Sequence, residues 1–147
     1  MDYDPKNTIK FAMVGLYMIK YRHDVCTDSN GPSVILTTDV VKNAYYDLKR
    51  RGIKVRWVTE ITKENLSYCK RIMEFAKLRH LEVKGNFGIG DGVDYRGSAT
   101  SKPGEPPSQL IISNVRAFVE QQQYFFGMLW NKAIPAECKC TCSALEV

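Results

Sequence analysis

Thr38-Asp39-Val40-Val41-Lys42-Asn43-Ala44-Tyr45-Tyr46-Asp47-Leu48-Lys49-Arg50-Arg51-Gly52-Ile53-Lys54-Val55-Arg56-Trp57-Val58-Thr59-Glu60 is the stretch whose pattern decides the fold. In its first half, Val40, Val41, Ala44, Tyr45 and Leu48 recur at the three- and four-residue spacings that line one face of a helix. Thr38-Asp39 stands ahead of that face as an N-cap. Gly52 follows it, the residue that most readily takes the positive φ at which helices stop. Beyond the glycine the period changes to two: Ile53, Val55 and Trp57 alternate with Lys54, Arg56 and Val58, the mark of a half-buried strand. Helix, glycine stop and strand in this order are the return half of a β-α-β unit.

The flanking sequence extends the alternation in both directions. Upstream, residues 7–21 read as a helix with Ile9, Met13, Leu16 and Tyr17 or Lys20 near a 3.6-residue period, interrupted by Gly15. His23-Asp24-Val25-Cys26 is a short strand, and Ser29-Asn30-Gly31-Pro32 is a turn. Downstream, Thr62-Lys63-Glu64-Asn65 opens a helix running through Ala76, with Leu66, Cys69, Ile72, Met73 and Ala76 facing the core. From Leu78 to Gly97 the chain is strand-like and punctuated by glycine, which suits hairpins. Residues 101–107 read as a loop, and Leu110-Ile111-Ile112 as a central strand. A last helix begins at Ser113-Asn114 and runs to about Ala133, with Val115, Phe118, Val119, Phe125 or Phe126, Leu129 and Trp130 on its apolar side; Pro135 closes it. The expected fold is a single α/β sandwich with a mixed central sheet.

Composition fits that expectation. The chain has 147 residues, 44% apolar and 25% charged, enough for one self-sufficient core. It opens Met1-Asp2-Tyr3-Asp4-Pro5, with acid where a secretory signal carries base. Its most apolar early run, Phe11 to Ile19, is bracketed by Lys10 and Lys20 and is about half the ~20 residues that span a bilayer, so it reads as a core helix. The five cysteines form no secreted disulfide framework, which points to a reducing, cytoplasmic setting. The net charge of +5 is a modest excess. Its densest cluster, Lys49, Arg50, Arg51, Lys54 and Arg56, straddles a helix end, where cations complement the negative end of the helix dipole. Nucleic acid is therefore not expected as a partner.

Motifs for chemistry are sparse. Gly88-Ile89-Gly90-Asp91-Gly92 looks like a phosphate loop, but strand-like sequence follows it instead of a helix N-terminus, so it reads as a hairpin. The two histidines are His23 and His80. His80 with Lys84 and Asp91 invites comparison with the phospholipase D superfamily, which carries His-x-Lys-x4-Asp on a strand and turn with the histidine as nucleophile. Counted from His80, the spacing here is His-x3-Lys-x6-Asp, so the comparison yields no catalytic residue. Ser67 and Ser98 have no His–Asp arrangement beside them. Cys138, Cys140 and Cys142 are weak metal-ligand candidates, because structural zinc sites use four ligands and wider gaps. No cofactor is expected.

Several blocks taken together carry a family resemblance: Asp47 through Asn65, Tyr68-Cys69-Lys70, Leu78-Arg79-His80-Leu81, Lys84-Gly85-Asn86-Phe87, Ser113-Asn114-Val115, Val119 through Tyr124, and Leu129 through Glu137. Over residues 10–137 the chain resembles the input region ahead of PAS and histidine-kinase modules in archaeal signal-transduction proteins, especially of ammonia-oxidising lineages. That region is similar to a degenerate half of a phospholipase D-like fold. The family continues past Ile134-Pro135-Ala136-Glu137 into a PAS or kinase module, whereas a cysteine-containing tail, 138–147, stands here. Kinase activity is accordingly not carried over, and the chain is expected not to be an enzyme.

The resemblance implies a sensory input domain of a two-component system over residues 1–137, binding a small ligand or a histidine-kinase or PAS partner. Arg56, Glu60, Asn65, His80, Lys84 and Asn86 are its candidate contacts, as polar residues at strand ends and turns. The alternatives are a residual phosphodiesterase of phospholipase D type acting through His80 as a homodimer, and a nucleic-acid-binding regulator.

Overall fold

The computed structural model describes residues 5–98 and 109–140. The β-α-β unit forms as the two periodicities require. Strand β1 (Arg22–Cys26) leads through helices α2 (Gly31–Thr37) and α3 (Asp39–Arg50) into β2 (Lys54–Thr59), which pairs parallel with β1, Arg22 opposite Lys54 and Cys26 opposite Val58. Gly52, at φ +74°, makes the turn between α3 and β2. Thr38 precedes α3 in extended backbone, yet its hydroxyl donates back to the Val34 carbonyl at 2.8 Å instead of capping α3. Helix α1 (Pro5–Met18) comes before this unit. After it come α4 (Leu66–Ile72), β3 (Lys77–His80), β4 (Asn86–Gly90), β5 (Asp94–Ser98), β6 (Ile111–Ser113), α5 (Arg116–Lys132), β7 (Ile134–Pro135) and α6 (Ala136–Cys140).

The seven strands form one mixed sheet in the order β6-β5-β4-β1-β2-β3-β7. The pairs β1–β2 and β2–β3 are parallel, and the other four are antiparallel. Each face carries its own core, because successive side chains of a strand point to opposite faces. One face gathers Leu16, Leu36, Tyr45, Leu48, Val55 and Trp57 under α1 to α4. The other gathers Cys26, Val58, Ile89, Val119, Phe126 and Trp130 under α5. The result is the expected α/β sandwich, with β1 and β2 covered on both faces beyond their exposed first residues, Arg22 and Lys54.

Some local expectations change. Gly31-Pro32 opens α2, with proline at a first-turn position whose missing N–H costs nothing there. The helix expected from Thr62 begins at Leu66, because Thr62 and Asn65 first close a turn: Asn65 Oδ1 accepts from Thr62 N–H at 2.8 Å and Thr62 Oγ1 from Asn65 N–H at 3.2 Å. Leu110-Ile111-Ile112 does not supply a central strand. Strand β6 is the sheet edge, with Ile111 64% and Ile112 46% exposed. Leu16 of α1 and Ile19 just after it are buried, while Phe11, Val14, Tyr17 and Met18 are exposed. On the last helix Phe126, not Phe125, is the buried aromatic, and Val115 lies outside the core. The loop expected over 101–107 lies outside the described residues, as does Cys142.

Two polar fixtures hold the middle of the sheet. Asp24, 1% exposed on β1, accepts Arg56 Nε at 2.7 Å, Arg56 Nη2 at 2.9 Å and Gln123 Nε2 of α5 at 2.8 Å. The Arg56 guanidinium lies 5.1 Å from the Phe126 ring centre and 5.2 Å from that of Trp130, so the pair is roofed by α5. The β4–β5 connection is Asp91-Gly92-Val93; Asp91 and Gly92 both take positive φ, 54° and 70°, as the central residues of a type I′ turn do, and the Val93 N–H donates to the Gly90 carbonyl at 3.0 Å. The Asp91 carboxylate accepts the backbone N–H groups of Lys20, Tyr21 and Arg22 at 2.9, 2.8 and 3.0 Å, tying the hairpin to the entry of β1.

Partial burial is the largest influence on the Asp91 carboxyl and acts to raise its pKa. The three N–H donors and the charge of Arg22 together outweigh it, and the net shift is downward. A lowered folded-state pKa stabilises the fold above the unfolded value, and this is lost as pH falls through the folded value. Asp91→Ala is expected to lower stability in urea by about 1–2 kcal/mol at neutral pH, with the deficit shrinking below about pH 4. An unchanged midpoint would show that the clasp contributes nothing.

His23 faces an apolar cavity of about 180 Å³ between the sheet and the helices of its first layer. Its Nε2 lies 3.2 Å from the Tyr45 hydroxyl, while Nδ1 has no hydrogen bond of regular geometry among the described residues. Burial drives its pKa from 6.5 down to about 4, against the opposing charge of Asp24. The unfolded chain takes up this proton first, so stability falls by on the order of 3 kcal/mol as pH drops from 6.5 to 4. With only two histidines, proton NMR separates the titrations: the His23 ring resonances should stay constant until about pH 4, and a midpoint near 6.5 would contradict its burial.

Candidate functional site

The carboxyl ends of β1, β2 and β3 and the start of β4 meet at one edge of the sheet, where the loops of α/β folds collect polar groups. The residues there are bonded mainly to one another. Trp57 Nε1 donates to Thr27 Oγ1 at 3.0 Å, Thr27 Oγ1 to Thr59 Oγ1 at 3.1 Å, and Thr59 Oγ1 to the Asp28 carbonyl at 2.9 Å. Asn65, 3% exposed, donates to the carbonyls of Ser29 and Glu60 at 2.9 and 2.8 Å, locking the loops after β1 and β2 together. His80 Nδ1 accepts the Ile61 N–H at 2.9 Å, so its neutral form is built into the backbone. Burial first, and then the charge of Lys139, lowers its pKa.

Of the candidate contacts, Glu60, Asn65, His80, Lys84 and Asn86 therefore fall at this edge or in the β3–β4 loop leading to it. Arg56 does not join them. It lies under α5 on the other face, occupied by Asp24. Asn86 meets Asp28, a residue the sequence did not single out: Asn86 Nδ2 donates to Asp28 Oδ2 at 3.0 Å, and Asn86 Oδ1 accepts the Asp28 N–H at 3.1 Å.

The strands separate the residues of the comparison made from His80. That residue is on β3, whereas the strand and turn ending at Asp91 are β4 and its hairpin. Counted back from Asp91, the His-x-Lys-x4-Asp spacing falls on Asn86 at the lysine position and Lys84 at the histidine position. Asp91 stands at the aspartate position of that spacing, and its carboxylate is bonded to the N–H groups of residues 20–22. Here a neutral amide stands for the motif's cation, and an amine for its imidazole.

The basic cluster of residues 49–56 divides on inspection. Arg51 donates to the carbonyls of Ile19 and Leu16 at 2.7 and 3.2 Å, closing the end of α1, and with Arg50 it pairs Asp47. Lys49 Nζ donates to the Glu74 carbonyl. Lys54 stands exposed at the start of β2. Cys138 and Cys140 are on α6, where Cys140 packs against the first core and burial raises its thiol pKa. Among the described residues no group of three or more His, Cys, Asp or Glu is placed to hold a metal ion, and no helix is long and apolar enough to cross a membrane.

No protein-family model and no curated protein matches the chain. Solved structures do. TrmBL2, an archaeal chromatin protein whose structure shows a novel mode of DNA binding, is similar at a TM-score of 0.64 and 18% identity over 89% of this chain. The match covers 51% of that protein, so the chain spans about half its length. NucT from Helicobacter pylori is similar at a TM-score of 0.70 and 13% identity, over 90% of this chain and 93% of that one. These neighbours overturn the reading as a small-ligand sensor of a two-component system and favour the alternatives set beside it. At such identities the likeness shows the fold, which is a phospholipase D-like half.

Proposed function

We propose that this chain is a nucleic-acid-binding regulatory domain built on a phospholipase D-like half, acting in the cytoplasm without hydrolytic chemistry of its own. The observation that carries the reading is the shared architecture, over 89% of the chain, with a chromatin protein that binds DNA. The excess of 21 basic over 16 acidic residues supports it, since phosphate contacts supply most of the affinity of non-specific nucleic-acid binders. The loss of hydrolysis is supported by the Asn86–Asp28 pair, which fills the motif's lysine position with an amide already bonded on both its polar atoms. Position 84 carries a lysine where the motif's spacing has its histidine nucleophile. The blocks shared with archaeal kinase input regions are, in this reading, a mark of common descent of the half-domain and not of a sensory role.

Fluorescence anisotropy with a 20-base-pair duplex is the direct test. Binding should weaken on the order of 10²-fold between about 50 and 200 mM salt if some four phosphates are contacted. Absence of binding at the low-salt end would sink the proposal. The same preparation should release no product from a chromogenic phosphodiester, and turnover that vanishes in Lys84→Ala would reinstate the phosphodiesterase.

A further inference from the structure

The edge opposite the motif's frame is different in kind. At the amino ends of β1, β2 and β3 an open cleft of about 550 Å³ is lined by Arg22, Lys49, Lys54, Arg56 and Lys77, with Asp24 and Glu74 as its acids. Register places these cations together: Arg22 is opposite Lys54, and Arg56 is opposite Lys77. The four therefore share one face across three adjacent strands, about 4.8 Å apart from strand to strand. Asp24 is already taken by Arg56 and Gln123, and the Glu74 carboxylate accepts the Tyr46 hydroxyl at 2.8 Å. Arg22, Lys54 and Lys77 are exposed beyond the part of this face that α5 covers.

We infer that this cleft is the surface that receives the phosphate backbone of double-stranded DNA; the inference rests on the nucleic-acid-binding reading above. Three features carry it. The lining is net positive, five cations against two acids, and Arg22, Lys54 and Lys77 stay exposed while Arg56 pairs Asp24 and Lys49 bonds the Glu74 carbonyl. Strands hold the cations in fixed register, so little ordering is needed on binding. The aromatic residue in the lining, Phe75, is only 6% exposed, so the cleft offers no stacking platform of the kind single strands use. Contacts of this kind position a duplex without reading its sequence. The basic residues nearest in sequence, Arg50 and Arg51, are engaged with Asp47 and the end of α1.

The test compares wild type with Lys54→Gln/Lys77→Gln and with Lys63→Gln, an exposed lysine at the other end of the sheet. Each binds a fluorescent DNA duplex and an RNA duplex of equal length across a salt series, with thermal melts to verify the fold. Removing two phosphate contacts should reduce the slope of log K against log salt by about 2, while Lys63→Gln keeps the wild-type slope. An unchanged slope in the double variant, with wild type still bound, overturns the cleft and leaves the nucleic-acid reading standing. Failure of wild type to bind either duplex overturns both. Retention of RNA with DNA at background overturns the assignment to DNA.

Discussion

A carboxylate in the middle strand of a sheet buried on both faces has to be paired, and that requirement organises this molecule. Asp24 meets it with two partners from distant parts of the chain, Arg56 on the adjacent strand and Gln123 on the helix above. A buried pair of this kind contributes little over an apolar substitute, because desolvation offsets most of its attraction. Its consequence is specificity: only one register of β1 on β2, and one seat for α5, satisfies the charge. Phe126 and Trp130 close over the guanidinium, and Arg79 lies 4.1 Å from the Trp130 ring centre and donates to the Trp130 carbonyl at 2.8 Å. The second core follows from that seating.

Asp91 plays the complementary part at the hairpin. The backbone N–H groups of Lys20 and Tyr21, between α1 and β1, and of Arg22, the first residue of β1, are satisfied by a single carboxylate. This explains why a residue with a β-carbon is held at φ 54°: the side chain recovers in hydrogen bonds what the backbone loses in strain. It also separates two roles that one motif position can combine. An aspartate in a catalytic frame has to act on its neighbours in the motif, whereas this one acts on a linker about 70 residues away in sequence.

Local order was legible where one period governs a long enough run. Helix α3, the Gly52 stop and β2 could be read because each signal lies within a few residues of the next. The hairpin was legible in Gly88-Ile89-Gly90-Asp91-Gly92, because strand-like sequence and not a helix follows it. Strand β6 was misplaced because three apolar residues read alike at a sheet edge and at its centre, and only the pairing partner tells them apart. Helix α2 was hidden by Gly31-Pro32, which signals a turn as strongly as a helix start. The site was legible in part. The polar residues at the strand ends were found, but the bond of Asn86 to Asp28 spans 58 positions and that of Gln123 to Asp24 spans 99, and no periodicity carries such distances.

The two edges of the sheet then differ by a physical criterion that sequence reading could not apply. At the carboxyl edge, Thr27, Thr59, Asn65, His80 and Asn86 spend their polar atoms on one another and on loop backbone. A ligand arriving there has to replace bonds already made, so its net gain is small. At the amino edge, Arg22, Lys54 and Lys77 are exposed, and a polyanion arriving there displaces only water and counterions. Composition counts the same charges at both edges; only the fold distinguishes those used to build the protein from those that remain to bind. By that criterion the amino edge is the one left open to a polyanion, and the carboxyl edge is where the loops are held.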